Sequence, residues 1–61
     1  MWIRNKAGFY VCELRGVCFI TWVKAQDKAH SAVFPKDNID EWVRVVSKMA
    51  GEPLEAVELF V

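Results

Sequence analysis

Histidine occurs once in this 61-residue chain, cysteine and proline twice each, glycine three times, and neither sign of charge is in excess. Each scarcity excludes something. Cys12, Cys18 and His30 supply few metal donors, and their spacing matches no zinc signature. Gly8, Gly16 and Gly51 stand far apart, so there is no glycine-rich loop to cradle a phosphate. Lys and Arg total 8 and Asp and Glu total 8. A general nucleic-acid binder needs a cationic excess to release phosphate counterions, and a polybasic membrane anchor needs the same excess. Apolar runs such as Val17 to Ile20 are far short of the roughly 20 residues that span a bilayer. At the start, Trp2-Ile3-Arg4-Asn5-Lys6 interrupts any apolar core of a signal peptide. The expectation is a complete short product in the cytoplasm (the host cytoplasm if viral), with no membrane contact and no general nucleic-acid binding.

What the chain has is apolar surface. Hydrophobic residues make up 54% of it, including three Trp, four Phe and one Tyr. Soluble domains average about 45–50% with glycine counted in. The length suits one domain, residues 1–61, with a thin stability margin, because a 60-residue fold buries only about 60% of what its unfolded chain exposes. Zero net charge lowers repulsion between copies and favours self-association.

Turn chemistry and periodicity predict an α+β fold in the order β-β-β-α-β: an antiparallel three-stranded meander, an irregular segment, one amphipathic helix and a short C-terminal strand. Asn5-Lys6-Ala7-Gly8 between Trp2-Ile3-Arg4 and Phe9-Tyr10-Val11-Cys12 suits a type I turn closed by a G1 bulge, with Gly8 in the left-handed region. That turn pairs Asn5 with Phe9, Ile3 with Val11 and Trp2 with Cys12. Arg15-Gly16 is read as a second, two-residue turn into the β-branched and aromatic run Val17–Val23. Ala25-Gln26-Asp27-Lys28-Ala29 suits a single helical turn and Ser31 to Phe34 a short extended piece, with Pro35 keeping residue 34 out of helix.

Asn38 with Glu41 matches a capping box, and Ile39, Trp42, Val43, Val46, Met49 and Ala50 form one apolar stripe. Asp40 and Arg44 are spaced for an ion pair, and Gly51 with Pro53 ends the helix. The tail, Glu55 to Val61, has the composition of a last strand.

With a two-residue turn at Arg15-Gly16, the pleat puts Trp2, Arg4, Tyr10, Cys12, Leu14, Val17, Phe19, Thr21 and Val23 on one face. Ile3, Asn5, Phe9, Val11, Glu13, Cys18, Ile20 and Trp22 take the other. Neither face is polar. One helix covers one face, so the second must lie under residues 24–36, under another copy of the chain, or under a target protein. Trp2, Arg4, Tyr10 and Phe19 are the candidate interface residues, since Trp, Tyr and Arg are enriched where binding energy concentrates.

The two thiols are read as buried and apolar. A two-residue turn points Cys12 and Cys18 to opposite faces, excluding a bond between them, whereas a longer turn would place them diagonally on one side. No catalytic set is identified. His30 with either cysteine lacks an orienting group, and Asp27, Asp37, Asp40 and Glu41 suit helix caps and surface. Lys24, Lys28, His30 and Lys36 make a mildly basic stretch beside Trp22 and Phe34; it suits a solvated loop, and Trp22, Lys24, Lys28 and His30 are the candidate contacts to a nucleotide-like ligand or an acidic partner.

Taken together, the Trp-Ile-Arg-Asn-Lys-x-Gly-Phe-Tyr hairpin, Trp22 with Asp27-Lys28-Ala29 and Phe34, the helix and the short strand resemble the layout of small phage or mobile-element accessory proteins. That resemblance implies stoichiometric action, by capping a host enzyme or sequestering a small signal molecule, and transfers no functional residue. The leading expectation is a non-enzymatic homodimer, without cofactor or metal, that binds and inhibits a host protein in an anti-defence or takeover role. The alternatives are a nucleotide-binding oligomer and a structural or assembly protein.

Overall fold

Glycine with positive φ sets the first reversal of the chain. Gly8 sits at φ 90°, its N–H donates to the Asn5 carbonyl at 3.1 Å, and the Asn5 N–H donates to the Phe9 carbonyl at 2.9 Å. The Asn5 side chain locks the turn by accepting from the Phe9 N–H at 2.9 Å. This is the expected type I turn with its bulge. In the computed structural model, which describes residues 1–16 and 19–59, it joins β1 (Trp2–Arg4) to β2 (Tyr10–Arg15). β3 (Phe19–Val23), a 3-10 helix (Ala25–His30), α1 (Ile39–Ala50) and β4 (Glu55–Val57) follow. The sheet is antiparallel with strand order β3-β2-β1-β4. The α+β class and the element order are as the sequence predicts.

One pairing keeps its expected register but is shorter than expected, and one register differs. β1 and β2 are in register at one pair only, Arg4 with Tyr10, and the expected Ile3–Val11 and Trp2–Cys12 pairs do not form. The strands splay because residues 32–34 occupy the gap. The Ala32 N–H donates to the Val11 carbonyl at 2.9 Å, and the Phe34 N–H donates to the Met1 carbonyl at 2.7 Å. The Met1 ammonium in turn donates to the Phe34 carbonyl at 2.6 Å.

The second reversal is longer than two residues, since Arg15 pairs with Phe19. Val17 and Cys18, and with them every expectation for the Cys18 thiol, lie outside the described residues, as do Phe60 and Val61 of the expected last strand. A β-bulge between Val11 and Glu13 then resets the pleat. Leu14 consequently joins the face that carries Ile3 and Val11, while Glu13 turns to the other, the reverse of the expected assignment. The remaining described residues keep their expected faces, because the longer turn and the bulge each invert the phase and cancel.

α1 packs on the Ile3 face. Ile3, Val11 and Val46 are fully enclosed, and Phe34 joins them at 5% exposure. Leu14, Ile20, Trp22, Ala32, Ile39, Trp42, Val43 and Leu54 surround this cluster. The Phe34 and Trp42 rings meet at 5.2 Å between centroids. The helix stripe is therefore as predicted, but its cap is not. Asn38 has φ −116° and ψ 23° and its side chain makes no capping bond. The Ile39 N–H instead donates to the Lys36 carbonyl at 3.3 Å, so the helix is entered from a turn rather than from the extended backbone a side-chain cap requires. Glu41, freed from that role, accepts from Arg44 at 3.4 Å in place of the expected Asp40–Arg44 pair. Gly51 closes the helix at φ 73°, as the sequence predicts, and Ser47 Oγ accepts from the Leu54 N–H at 3.1 Å to steer the chain into β4.

Candidate interaction surface

The second face of the sheet is covered near β1 by the chain itself. The 3-10 helix lies over Trp2 and Tyr10, whose rings meet edge to face at 5.8 Å and 88°. Lys28 Nζ sits 5.3 Å from the centre of the Trp2 ring, a cation over a π face. Ser31 Oγ bonds back to the Lys28 carbonyl, and Cys12 Sγ donates to the His30 carbonyl at 3.4 Å. The Lys28 and Cys12 contacts fasten the helix to β1 and β2.

Trp2 and Tyr10 are consequently 8% and 3% exposed. Both were candidate interface residues, and their burial under residues 25–30 withdraws them from that role. Arg4 is committed too. Its Nε donates to Glu55 across β1 and β4 at 2.9 Å, and its Nη1 approaches the Tyr10 hydroxyl at 3.5 Å. The hydrogen bond to Glu55, then that to Tyr10, holds the guanidinium pKa above its already high ordinary value. Of the four candidates Phe19 stands most open, at 60% exposure, with the Arg4 side chain partly exposed beside Glu55.

The candidate ligand contacts do not converge. Trp22 pairs with Val11 and faces the α1 side of the sheet, whereas Lys28 lies on the Trp2 side, with Lys24 and His30 exposed along the same segment. The sheet separates the indole from the cations. Cys12 meets the backbone of His30 and not its imidazole. Among the described residues no group of three His, Cys, Asp or Glu is placed to hold a metal ion, and no helix is long and apolar enough to cross a membrane.

What stays open is the outer edge of the sheet. β3 is the end strand, and among the described residues no backbone hydrogen bond from outside the sheet reaches Phe19–Val23. Beside it, on the α1 side, a groove of about 230 Å³ is lined by Phe19, Ile20, Trp22, Met49, Ala50 and Glu52. Among the described residues the other exposed large apolar side chains are scattered: Phe9 at the first hairpin, Val33 in the crossing segment, and Val45 beside a groove with Asn38, Glu41 and Trp42. Sequence reasoning singled out Phe19 but not Met49 and Ala50, which it assigned to the helix stripe. The available signal was the run Phe19-Ile20-Thr21-Trp22-Val23, which has neither charge nor proline.

Thr21 carries a further irregularity, a buried Oγ1 with no hydrogen-bond partner. An unpaired buried polar group costs about 1–3 kcal/mol. Thr21→Val keeps the shape and removes the hydroxyl, so it is expected to stabilise the domain by about 1 kcal/mol. At this size that raises Tm by roughly 4–8 °C, measured by thermal denaturation in dilute solution. A lower Tm would mean that the hydroxyl is satisfied in solution.

No protein-family model, curated protein or solved structure matches this chain.

Proposed function

We propose that this chain is a small non-enzymatic interaction protein that works as a homodimer and binds and inhibits a host protein. The observation that carries the reading is Phe19, an aromatic side chain 60% exposed on an uncharged edge strand. A 61-residue domain gains from any further apolar burial, because its own core is close to the minimum for stability. Stoichiometric inhibition fits the one thiol–histidine contact among the described residues, in which Cys12 meets the His30 backbone carbonyl and not the imidazole. The resemblance to phage and mobile-element accessory proteins supplies the expected role, capping a host enzyme.

Sedimentation equilibrium over a wide concentration range tests the first half. The expected species has twice the 7.0 kDa mass of one chain. A 7.0 kDa species alone, up to millimolar concentration, rejects the homodimer. The second half is tested by titrating the chain against a captured host enzyme, whose activity is expected to fall in proportion to the chain added. Turnover of a substrate by the chain itself would overturn the non-enzymatic reading.

A further inference from the structure

We infer that β3 pairs antiparallel with β3 of a second copy about a twofold axis through Thr21, joining two four-stranded sheets into one of eight strands. The inference rests on the self-association proposed above and names its surface.

The two edges of the sheet differ. β4 is three residues long, and its Glu55 is tied to Arg4, so it is short and charged, as edges that avoid pairing are. β3 is five residues long, Phe19-Ile20-Thr21-Trp22-Val23, with no charge, proline or bulge residue of its own. Among the described residues nothing pairs with its outward N–H and C=O groups.

The pattern of β3 selects a second copy as the occupant. With the axis through Thr21, Phe19 faces Val23 of the other copy, Ile20 faces its Trp22, and Thr21 faces Thr21. Each pair is repeated by symmetry. Every aromatic residue meets a β-branched aliphatic one, the threonines meet each other, and no charge faces a like charge; these are favourable cross-strand pairs. The faces match as well. Directly opposed residues share a face, and this axis opposes residues of equal parity, so both copies of α1 lie on the same side. A slip of one residue would set Phe19 against Trp22 and place the helices on opposite sides.

On the α1 side the groove lined by Phe19, Ile20, Trp22, Met49, Ala50 and Glu52 of one copy then adjoins the same groove of the other, and the exposed Glu52 keeps that seam partly polar. The unbranched Met49 side chain suits the filling of such a seam. At the end of the ladder the exposed Phe19 gains Val23 of the other copy as an apolar neighbour. These side-chain layers widen a five-residue ladder toward the roughly 1,000 Å² that a specific interface requires. A net charge of zero opposes nothing at long range. With β4 guarded, the contact closes after two copies instead of propagating.

The test combines sedimentation with amide hydrogen exchange. In the unmodified chain, exchange of residues 19–23 is expected to slow as concentration rises through the dimer range. Phe19→Lys, at an exposed position, is expected to keep the circular dichroism of the parent and raise the dissociation constant at least tenfold. Should that variant fail to fold, Thr21→Cys in a Cys12→Ser, Cys18→Ser background decides the matter, since directly opposed residues approach disulfide range. The expected product under mild oxidation is a covalent dimer, with Val45→Cys in the same background as a control that forms none. A dimer that persists in Phe19→Lys, with exchange of 19–23 independent of concentration, overturns the β3 interface and leaves self-association standing. A monomer at every concentration removes both. Protection of 19–23 in a monomer by an added unrelated extended peptide overturns the second copy as occupant.

Discussion

Replacing Ile3 with alanine is expected to leave most of the population unfolded at room temperature. Ile3 is fully buried between β2, β4 and α1, in contact with the cluster of Val11, Phe34 and Val46. Removing its outer carbons costs about 2–5 kcal/mol, depending on how far the walls close over the space left behind. Here the walls are held. β1 is an inner strand, Phe34 is fixed to Met1 by backbone hydrogen bonds in both directions, and Val46 sits mid-helix. The upper part of the range therefore applies, against a total that rarely exceeds about 3–5 kcal/mol for a single core of this size. Urea denaturation followed by far-ultraviolet circular dichroism is expected to show a midpoint near zero denaturant. Phe19→Ala, at 60% exposure, should stay within about 0.5 kcal/mol of the parent when both are measured as monomers. Equal losses from the two substitutions would mean that the enclosed cluster is not what holds the fold together.

The second large effect is expected at Trp2. Trp2→Ala removes the ring that Tyr10 meets edge to face and that Lys28 covers, so both sides of the contact between sheet and 3-10 helix are lost together. Truncating a buried aromatic costs about 3–5 kcal/mol, of which the Lys28 contact supplies about 0.5–1 kcal/mol. Residues 25–30 contain no buried side chain of their own. Their hold on the sheet is this contact and the Cys12 bond to His30, so they are expected to detach first. Trypsin cleavage after Lys28 should accelerate before global unfolding. Trp2→Phe, which keeps a ring against Tyr10, should recover part of the loss. The concentration dependence separates this account from one in which Trp2 contacts a partner: a loss of stability that is the same at every dilution places Trp2 inside its own chain. A variant with unchanged monomer stability and weakened association would reverse that assignment.

The candidate surface was legible in part. Phe19 was identifiable as a member of an aromatic, uncharged strand, and the same reasoning placed Trp2 and Tyr10 beside it. Composition cannot separate them, because all three are large aromatics on one pleated face. Their fates diverge because the 3-10 helix lies over Trp2 and Tyr10, whereas Phe19 stands at the open end of β3. Trp22 and Lys28 illustrate the opposite failure: they are close in sequence, and the sheet sets them on different sides.

The sequence by itself determined what depends on neighbours within about four residues. The Asn5–Gly8 turn, the span and apolar stripe of α1, its end at Gly51 and the α+β class all follow from backbone preference and periodicity, which act locally. Only the tertiary structure decided the splay of β1 from β2 by residues 32–34, the bulge that turned Leu14 inward, the burial of Trp2 and the exposed position of β3. Each of these depends on which distant segments meet, as Arg4 meets Glu55 across 51 residues. A strand carries the same residues whether it ends in the middle of a sheet or at its edge.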